Sequence, residues 1–211
     1  MTSRERVAMS LDHREPDRVP VDFSRHRSSG ISAIAYPKLR KALGLEPRPI
    51  RVYDIIQQLA VVDEDVLDRF NVDTLEMGRG FSLDPSSWAP WTLPDGTPGL
   101  VPAWAQPEPL DGGWSLRSQS GRILARMPKG ALYFEQVYWP FADDPEDLDR
   151  IAEGFGESMW TAIGSPPGPV SREGLAAGAA RLRKSTQRAI IGLFGGNLLE
   201  CGQFLYRNDG F

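Results

Sequence analysis

The chain has 211 residues, of which 41% are hydrophobic and 25% charged, so it can bury a real core and is not a disordered tail. A net charge of −4 gives no broad basic face, which argues against nucleic acid as a partner and makes any anion site a local one. Cys201 is the sole cysteine, so an intrachain disulfide and a zinc site built of thiolates are both excluded.

No apolar signal core follows Met1, and no run approaches the roughly 18 residues that a membrane helix needs. A cytoplasmic protein is expected, with no membrane partner. Its length suits one domain or part of one.

Thr2 followed by Glu5 forms a capping box, which predicts a helix from Ser3 to about Asp12 with Val7 and Leu11 on one face. Val19, Val21 and Phe23 then alternate between Pro16 and the Ser28-Ser29-Gly30 turn, the pattern of a short strand with one buried face. Arg25, His26 and Arg27 follow at once. Guanidinium forks bind carboxylate and phosphate in bidentate geometry, so Arg25 and Arg27 point to a small anionic substrate. His26 is available as a donor or proton carrier. A solvated turn is the competing reading of the same residues.

Tyr36 to Leu43 predicts a second helix, capped by Gly44 and followed by Pro47 and Pro49. From Val52 to Phe70 apolar residues recur at three and four positions, with Asp63, Glu64 and Asp65 between. Aspartates favour helix starts, so two consecutive helices are predicted, the second opening at the acidic trio. Val72 to Met77 alternates again and reads as the second strand, entering a loop that contains Gly78 and Gly80. Asp73 and Glu76 on this strand are candidates to reach a ligand, and for Asp73 a turn or pairing role competes.

Residues 81–142 are rich in proline, glycine and tryptophan and show no helical period. Asp95-Gly96 and Ser120-Gly121 are hairpin turn signals, and Trp114, Leu116, Ile123, Ala125 and Met127 alternate around the second. An inserted antiparallel flap is predicted. Five of the chain's six tryptophans lie in it, with Trp160 outside, and they read as the filling of a small core rather than as a stacking platform.

Asp144 before Pro145 predicts a helix carrying Leu148, Ile151, Phe155 and Met159 on one face. Pro166 and Pro167 end it, and Ser171 opens another with Leu175, Ala179 and Leu182. Ala189 to Phe194 is nearly all apolar and predicts a strand covered on both faces. Gly195-Gly196-Asn197 turns it into a helix from Leu198 to Leu205, and Asn197 joins the candidate substrate-binding residues. Cys201 on that helix reads as a buried structural thiol.

Three strands separated by helices argue for an α/β fold with a parallel sheet and right-handed crossovers. The alternatives are an open doubly wound sheet and a closed barrel. No dinucleotide-type glycine fingerprint follows the first strand, which favours the barrel.

Four stretches carry a resemblance to a known family. The opening from Arg4 to Phe23, centred on His13-Arg-Glu-Pro-Asp-Arg-Val-Pro-Val21, is similar to the amino terminus of the uroporphyrinogen decarboxylase superfamily. So are Arg69-Phe-Asn-Val-Asp73, Trp139-Pro-Phe-Ala-Asp-Asp-Pro-Glu-Asp-Leu148 and Gly192-Leu-Phe-Gly-Gly-Asn197, in the same order. The resemblance implies a (β/α)8 barrel with its active site over the carboxyl ends of the strands. About three of eight strands are recognisable, so residues 1–211 read as an incomplete barrel domain with a flap inserted at about 81–142.

The superfamily implies two chemistries: decarboxylation of the acetate arms of uroporphyrinogen, or methyl transfer between corrinoid proteins and thiol or folate acceptors. The decarboxylases follow their first strand with Met-Arg-Gln-Ala-Gly-Arg. In the matching Ser24-Arg-His-Arg-Ser-Ser29, Arg25 falls on the first arginine, Ser29 replaces the second and Arg27 is an offset substitute. The aspartate they place just beyond the second strand is missing from Gly78-Arg-Gly-Phe-Ser82, and Asp84 comes too late. Both departures, and the long flap, favour the methyltransferase-like relatives.

In that branch a zinc ion activates the acceptor thiol, with ligands from the later half of the barrel. His13, His26 and Cys201 have no recognisable ligand spacing, so no cofactor is assigned to this chain alone. A protein-bound corrinoid and zinc are implied for the full-length form. The competing class of function is a non-catalytic module that pairs with a second copy or with a complementary barrel half.

Overall fold

In the computed structural model of the chain, the described residues are 1–24, 27–77, 85–144, 146–159, 172–192 and 198–207. In chain order the first half runs α1 (Ser3–Leu11), α2 (Tyr36–Ala42), β1 (Ile50–Asp54), β2 (Leu59–Ala60), α3 (Glu64–Arg69), β3 (Thr74–Met77), β4 (Trp88–Thr92) and β5 (Pro98–Pro102). It continues with β6 (Glu108–Leu110), β7 (Gly113–Arg117), β8 (Ile123–Met127), β9 (Glu135–Gln136), α4 (Ile151–Gly156), α5 (Arg172–Ser185), β10 (Ala189–Gly192) and α6 (Leu198–Tyr206). The architecture is mixed α/β with several sheets, and no sheet closes into a barrel among the described residues. No helix is long and apolar enough to cross a membrane among those residues.

The chain divides into two compact units. The first comprises Met1–Tyr53, Leu59–Leu83 and Gly168–Leu193. Helix α1 opens on the expected capping box: Thr2 Oγ1 accepts from the Glu5 amide at 3.2 Å, and Glu5 Oε2 accepts from the Thr2 amide at 2.8 Å. Its buried residue is Arg6, whereas Leu11 is 75% exposed, so an ion pair rather than the Val7–Leu11 stripe fixes its orientation. Helix α2 buries Tyr36 and Arg40, and Gly44 behind it takes the left-handed conformation expected of a helix stop.

Two expectations fail in the stretch before α3. Val19 to Phe23 is not a strand: Val19 is 79% exposed, and Val21 and Phe23 are only half-buried. Pro20 has no amide to give a ladder, so the segment stays extended, and its backbone bond to the neighbouring strand runs from the Asp73 amide to the Val21 carbonyl. Phe23 packs edge-on against Phe70, with ring centroids 5.2 Å apart.

The helix expected from Val52 is instead strand β1, a turn, and strand β2. Asp54 makes the turn, its Oδ1 accepting from the amides of Ile56 and Gln57, and Gln58 completes it at a φ of +55°. Those local bonds compete with the helical ones that the spacing suggested. The second expected helix does begin at the acidic trio, with Asp63 at the N-cap of α3.

Strands β3 and β10 are parallel, in the register Thr74 to Ala189 through Met77 to Gly192. The expected second and third strands are therefore both present and run in the same direction. Strand β10 is half-buried rather than covered on both faces.

The second unit comprises Asp54–Gln58, Asp84–Pro167 and Phe194–Phe211. The antiparallel flap is present as the hairpin β4–β5 and the sheet β6–β7–β8–β9. Asp95-Gly96 turns the first hairpin, with Gly96 at a φ of +85° and the Leu93 amide bonded to the Thr97 carbonyl. Ser120-Gly121 turns β7 into β8, pairing Trp114 with Met127 and Leu116 with Ala125 as the alternation implies. Trp91 is buried and meets Trp114 edge-on at 5.8 Å, which is packing of the kind expected for these tryptophans.

Helix α4 is shorter than predicted, preceded by a 3-10 turn over Leu148–Arg150, and Ile151 and Phe155 are exposed rather than core. Pro145 and Ser171 lie outside the described residues. Phe141 anchors this unit, buried, stacked on Tyr206 at 5.3 Å, with its amide bonded to the Leu205 carbonyl. Cys201 on α6 is a free, half-buried thiol.

Candidate functional site

Asp73 is where three extended segments of the first unit meet. Its amide donates to the Val21 carbonyl at 2.7 Å, and its own carbonyl accepts from the Ala189 amide at 2.8 Å. The next residue keeps step, since Thr74 Oγ1 donates to Asp22 Oδ1 at 2.6 Å. Segment 19–24, β3 and β10 thus lie side by side, and the chain leaves them into residues 25–27, 78–84 and 193–197 respectively. Ligands of parallel α/β sheets bind beyond the carboxyl ends of the strands, so this edge is the candidate site.

The Asp73 carboxylate serves the sheet. It is wholly buried and accepts from Arg6 Nη1 at 2.6 Å, from Arg18 Nη1 and Nη2 at 2.6 and 3.0 Å, and from the Val21 amide at 2.8 Å. Arg6 also holds Asp17 in a fork, with Nε and Nη2 at 2.6 and 2.8 Å from its two oxygens. Burial pushes the Asp73 carboxyl up, but the donors Arg18, Val21, Ser3 and Arg6 outweigh it and hold the group below the usual carboxylate range. The Arg6 hydrogen bonds hold Asp17 down to about 2, and Asp17 in turn raises Arg6 above its ordinary value. The pairing role considered for Asp73 is the one this geometry describes.

Glu76 stands opposite Ile191 in the register and is 1% exposed. Side chains two apart on a strand share a face, so Asp22, Thr74 and Glu76 form a polar stripe leading toward the carboxyl edge. Carboxylates there can accept hydrogen bonds from a ligand or hold a proton. Arg25, His26 and Asn197 lie outside the described residues, and Arg27 is described only as the first residue of a 3-10 turn, Arg27–Ser29.

The site has two residues that composition did not single out, Arg6 and Asp17, which carry no pattern beyond ordinary surface charge.

A groove of about 440 Å³ lies at the opposite end, beside the amino ends of β3 and β10, lined by Ser3, Arg18, Asn71, Thr186 and Arg188 among others. Its cations already serve the fold. Arg18 donates to Asp73 and to the Asn71 carbonyl, and Arg188 donates to the Val72 carbonyl, Glu64 and Asp68. Among the described residues, no three His, Cys, Asp or Glu side chains converge as metal ligands would. No family model, no curated protein and no solved structure matches the chain.

Proposed function

We propose that the chain is an enzyme, or the amino-terminal part of one, of the uroporphyrinogen decarboxylase superfamily type, binding a small anionic substrate and acting in corrinoid-linked methyl transfer. In this reading segment 19–24, β3 and β10 are the first strand positions of a partial (β/α)8 barrel, and the antiparallel sheets are its inserted flap. The observation that supports it is the side-by-side arrangement of Val21, Asp73 and Ala189, whose segments run on into the candidate residues. Arg25 and Arg27 hold the anionic group, His26 donates or carries a proton, and Asn197 adds a neutral donor. Glu76 accepts from the ligand on the polar stripe, while Asp73 braces the strand beneath it.

The corrinoid in this reading belongs to a partner protein, which brings the methyl group.

The test is incubation of the chain with methylcobalamin and a small thiol, following the corrinoid absorbance and the methylated thiol by mass. Turnover that disappears in Arg25→Gln supports the proposal. Stepwise loss of carbon dioxide from uroporphyrinogen, with no methylated thiol, would establish the decarboxylase alternative in its place.

A second reading has its own observation. Among the described residues β10 pairs along one edge, with β3, and such an edge can take another strand. A non-catalytic module that docks a second copy or a complementary half would be silent in both assays. It would show a concentration-dependent mass in light scattering.

A further inference from the structure

Helix α5 runs for 14 residues without burying one, and Leu175 on it is 46% exposed. A helix of this length draws most of its stability from packing one face, and Gly174 and Gly178 each weaken it by about 1 kcal/mol relative to alanine. Leu175, Ala179 and Leu182 supply such a face at helical spacing, yet Ala179 and Leu182 are only half-buried. The stripe is partly used and calls for cover.

Charge says what would cover it. Arg172, Arg181, Arg183 and Lys184 are exposed and stand against Glu173 alone within the helix. None of the four has an acidic partner among the described residues, whereas Arg188 just beyond is held by Glu64 and Asp68. Arg172 lies one turn before Leu175 and Arg183 one turn after Ala179, so cations flank the stripe.

The matching surface belongs to the second unit. Between residues 143 and 157, seven carboxylates stand against one cation, Arg150. Arg150 serves Asp147 and Glu153, at 3.4 and 3.2 Å, while Asp143, Asp144, Glu146 and Asp149 are exposed without a cationic partner among the described residues. In the same stretch α4 leaves Ile151 and Phe155, one turn apart, 46% and 42% exposed.

We propose that the basic face of α5 docks on residues 143–157 of a second copy of this chain, apolar stripe to apolar pair and guanidinium to carboxylate. Opposite potentials steer the encounter and set its register, and burial of Leu175, Ile151 and Phe155 supplies affinity. Each copy carries both halves, so copies can exchange the contact reciprocally or repeat it head to tail. The contact uses helix side chains rather than the β10 edge, and it stands whichever chemistry the chain performs.

Light scattering of the whole chain at rising concentration, in about 0.05 M and about 0.5 M sodium chloride, tests it. The mass should rise with concentration in low salt and return to that of one chain in high salt. The variant Arg181→Glu, Arg183→Glu, Lys184→Glu and the variant Asp144→Lys, Glu146→Lys, Asp149→Lys should each lose the larger species, with the circular dichroism of the folded chain retained. Mixing the two variants should restore it, because a reversed helix then meets a reversed stretch, an outcome that misfolding of either variant could not produce. A single-chain mass for wild type in low salt overturns the proposal, and co-sedimentation with phosphatidylserine vesicles under those conditions would give the helix a lipid surface instead. Association that survives high salt and both variants, or a mixture that stays at the mass of one chain, also overturns it.

Discussion

Arg6 Nη1 lies 2.6 Å from Asp73 Oδ1, a bond between residues 67 positions apart whose side chains are 7% and 0% exposed. Removing one partner of a buried pair leaves an uncompensated charge, which costs far more than the pair itself contributes. Asp73→Ala is therefore expected to destabilise the chain by about 3–5 kcal/mol. Urea unfolding measures it, and a loss below about 1 kcal/mol would show that the Asp73 centre does not hold the three segments together.

Acid should weaken the same centre. Asp17 and Asp73 both have carboxyls held below their ordinary values, so the unfolded chain binds protons before the folded one does. Their stabilisation is fully present above the unfolded carboxyl pKa of about 4 and is lost as pH falls toward the folded value, about 2 for Asp17. Melting temperature should fall between pH 4 and pH 2, and Asp17→Asn should flatten that slope. Equal slopes in the two proteins would remove Asp17 from the explanation.

Tyr36 supports the start of α3. Its hydroxyl accepts from the Asp63 amide at 2.8 Å, donates to Asp63 Oδ2 at 2.7 Å, and accepts from Arg40 Nη1 at 3.3 Å. Arg40 is 1% exposed and also holds Asp65 and the Glu46 carbonyl. Tyr36→Phe orphans a part-buried amide and should cost about 1–3 kcal/mol in thermal or chemical unfolding. Stability equal to wild type would mean that water replaces the hydroxyl.

Gly113 should not tolerate a side chain. A Cβ there would collide with the Met127 carbonyl at the end of β8 and crowd the Lys129 amide just beyond it, both backbone atoms. Gly113→Ala is expected to lose about 1–3 kcal/mol, whereas Gly156→Ala, with nothing within 4 Å of its Cβ, should be near neutral. Similar melting temperatures for the two variants would contradict the close approach of β7 and β8.

Local chemistry made much of the fold legible. The Thr2–Glu5 box and the Asp95-Gly96 and Ser120-Gly121 turns each follow from a residue acting on its near neighbours, whereas Asp63 stands at the start of α3 with its carboxylate held by Tyr36 and Arg40 rather than by the helix amides. The failures came where local rules conflict. At Val52–Leu59 a helical spacing met an aspartate able to make its own turn, and at Val19–Phe23 strand alternation met a proline without an amide. Of the candidate site, Glu76 and Asp73 were legible from their strand. The joining of Arg6 and Arg18 to Asp73 depends on distant partners, which no spacing encodes.

The first unit is stitched from three separate stretches of chain, and Arg188 reaches back 124 residues to Glu64. During synthesis on the ribosome the parallel pair cannot form until Ala189 has emerged, while the hairpins of the second unit close on neighbours a few residues away. Stalled nascent chains ending before β10 should therefore have a protease-sensitive amino-terminal third while the local hairpins are already paired, and a chain released early would expose the acidic and basic halves of the Asp73 centre to the cell's quality control.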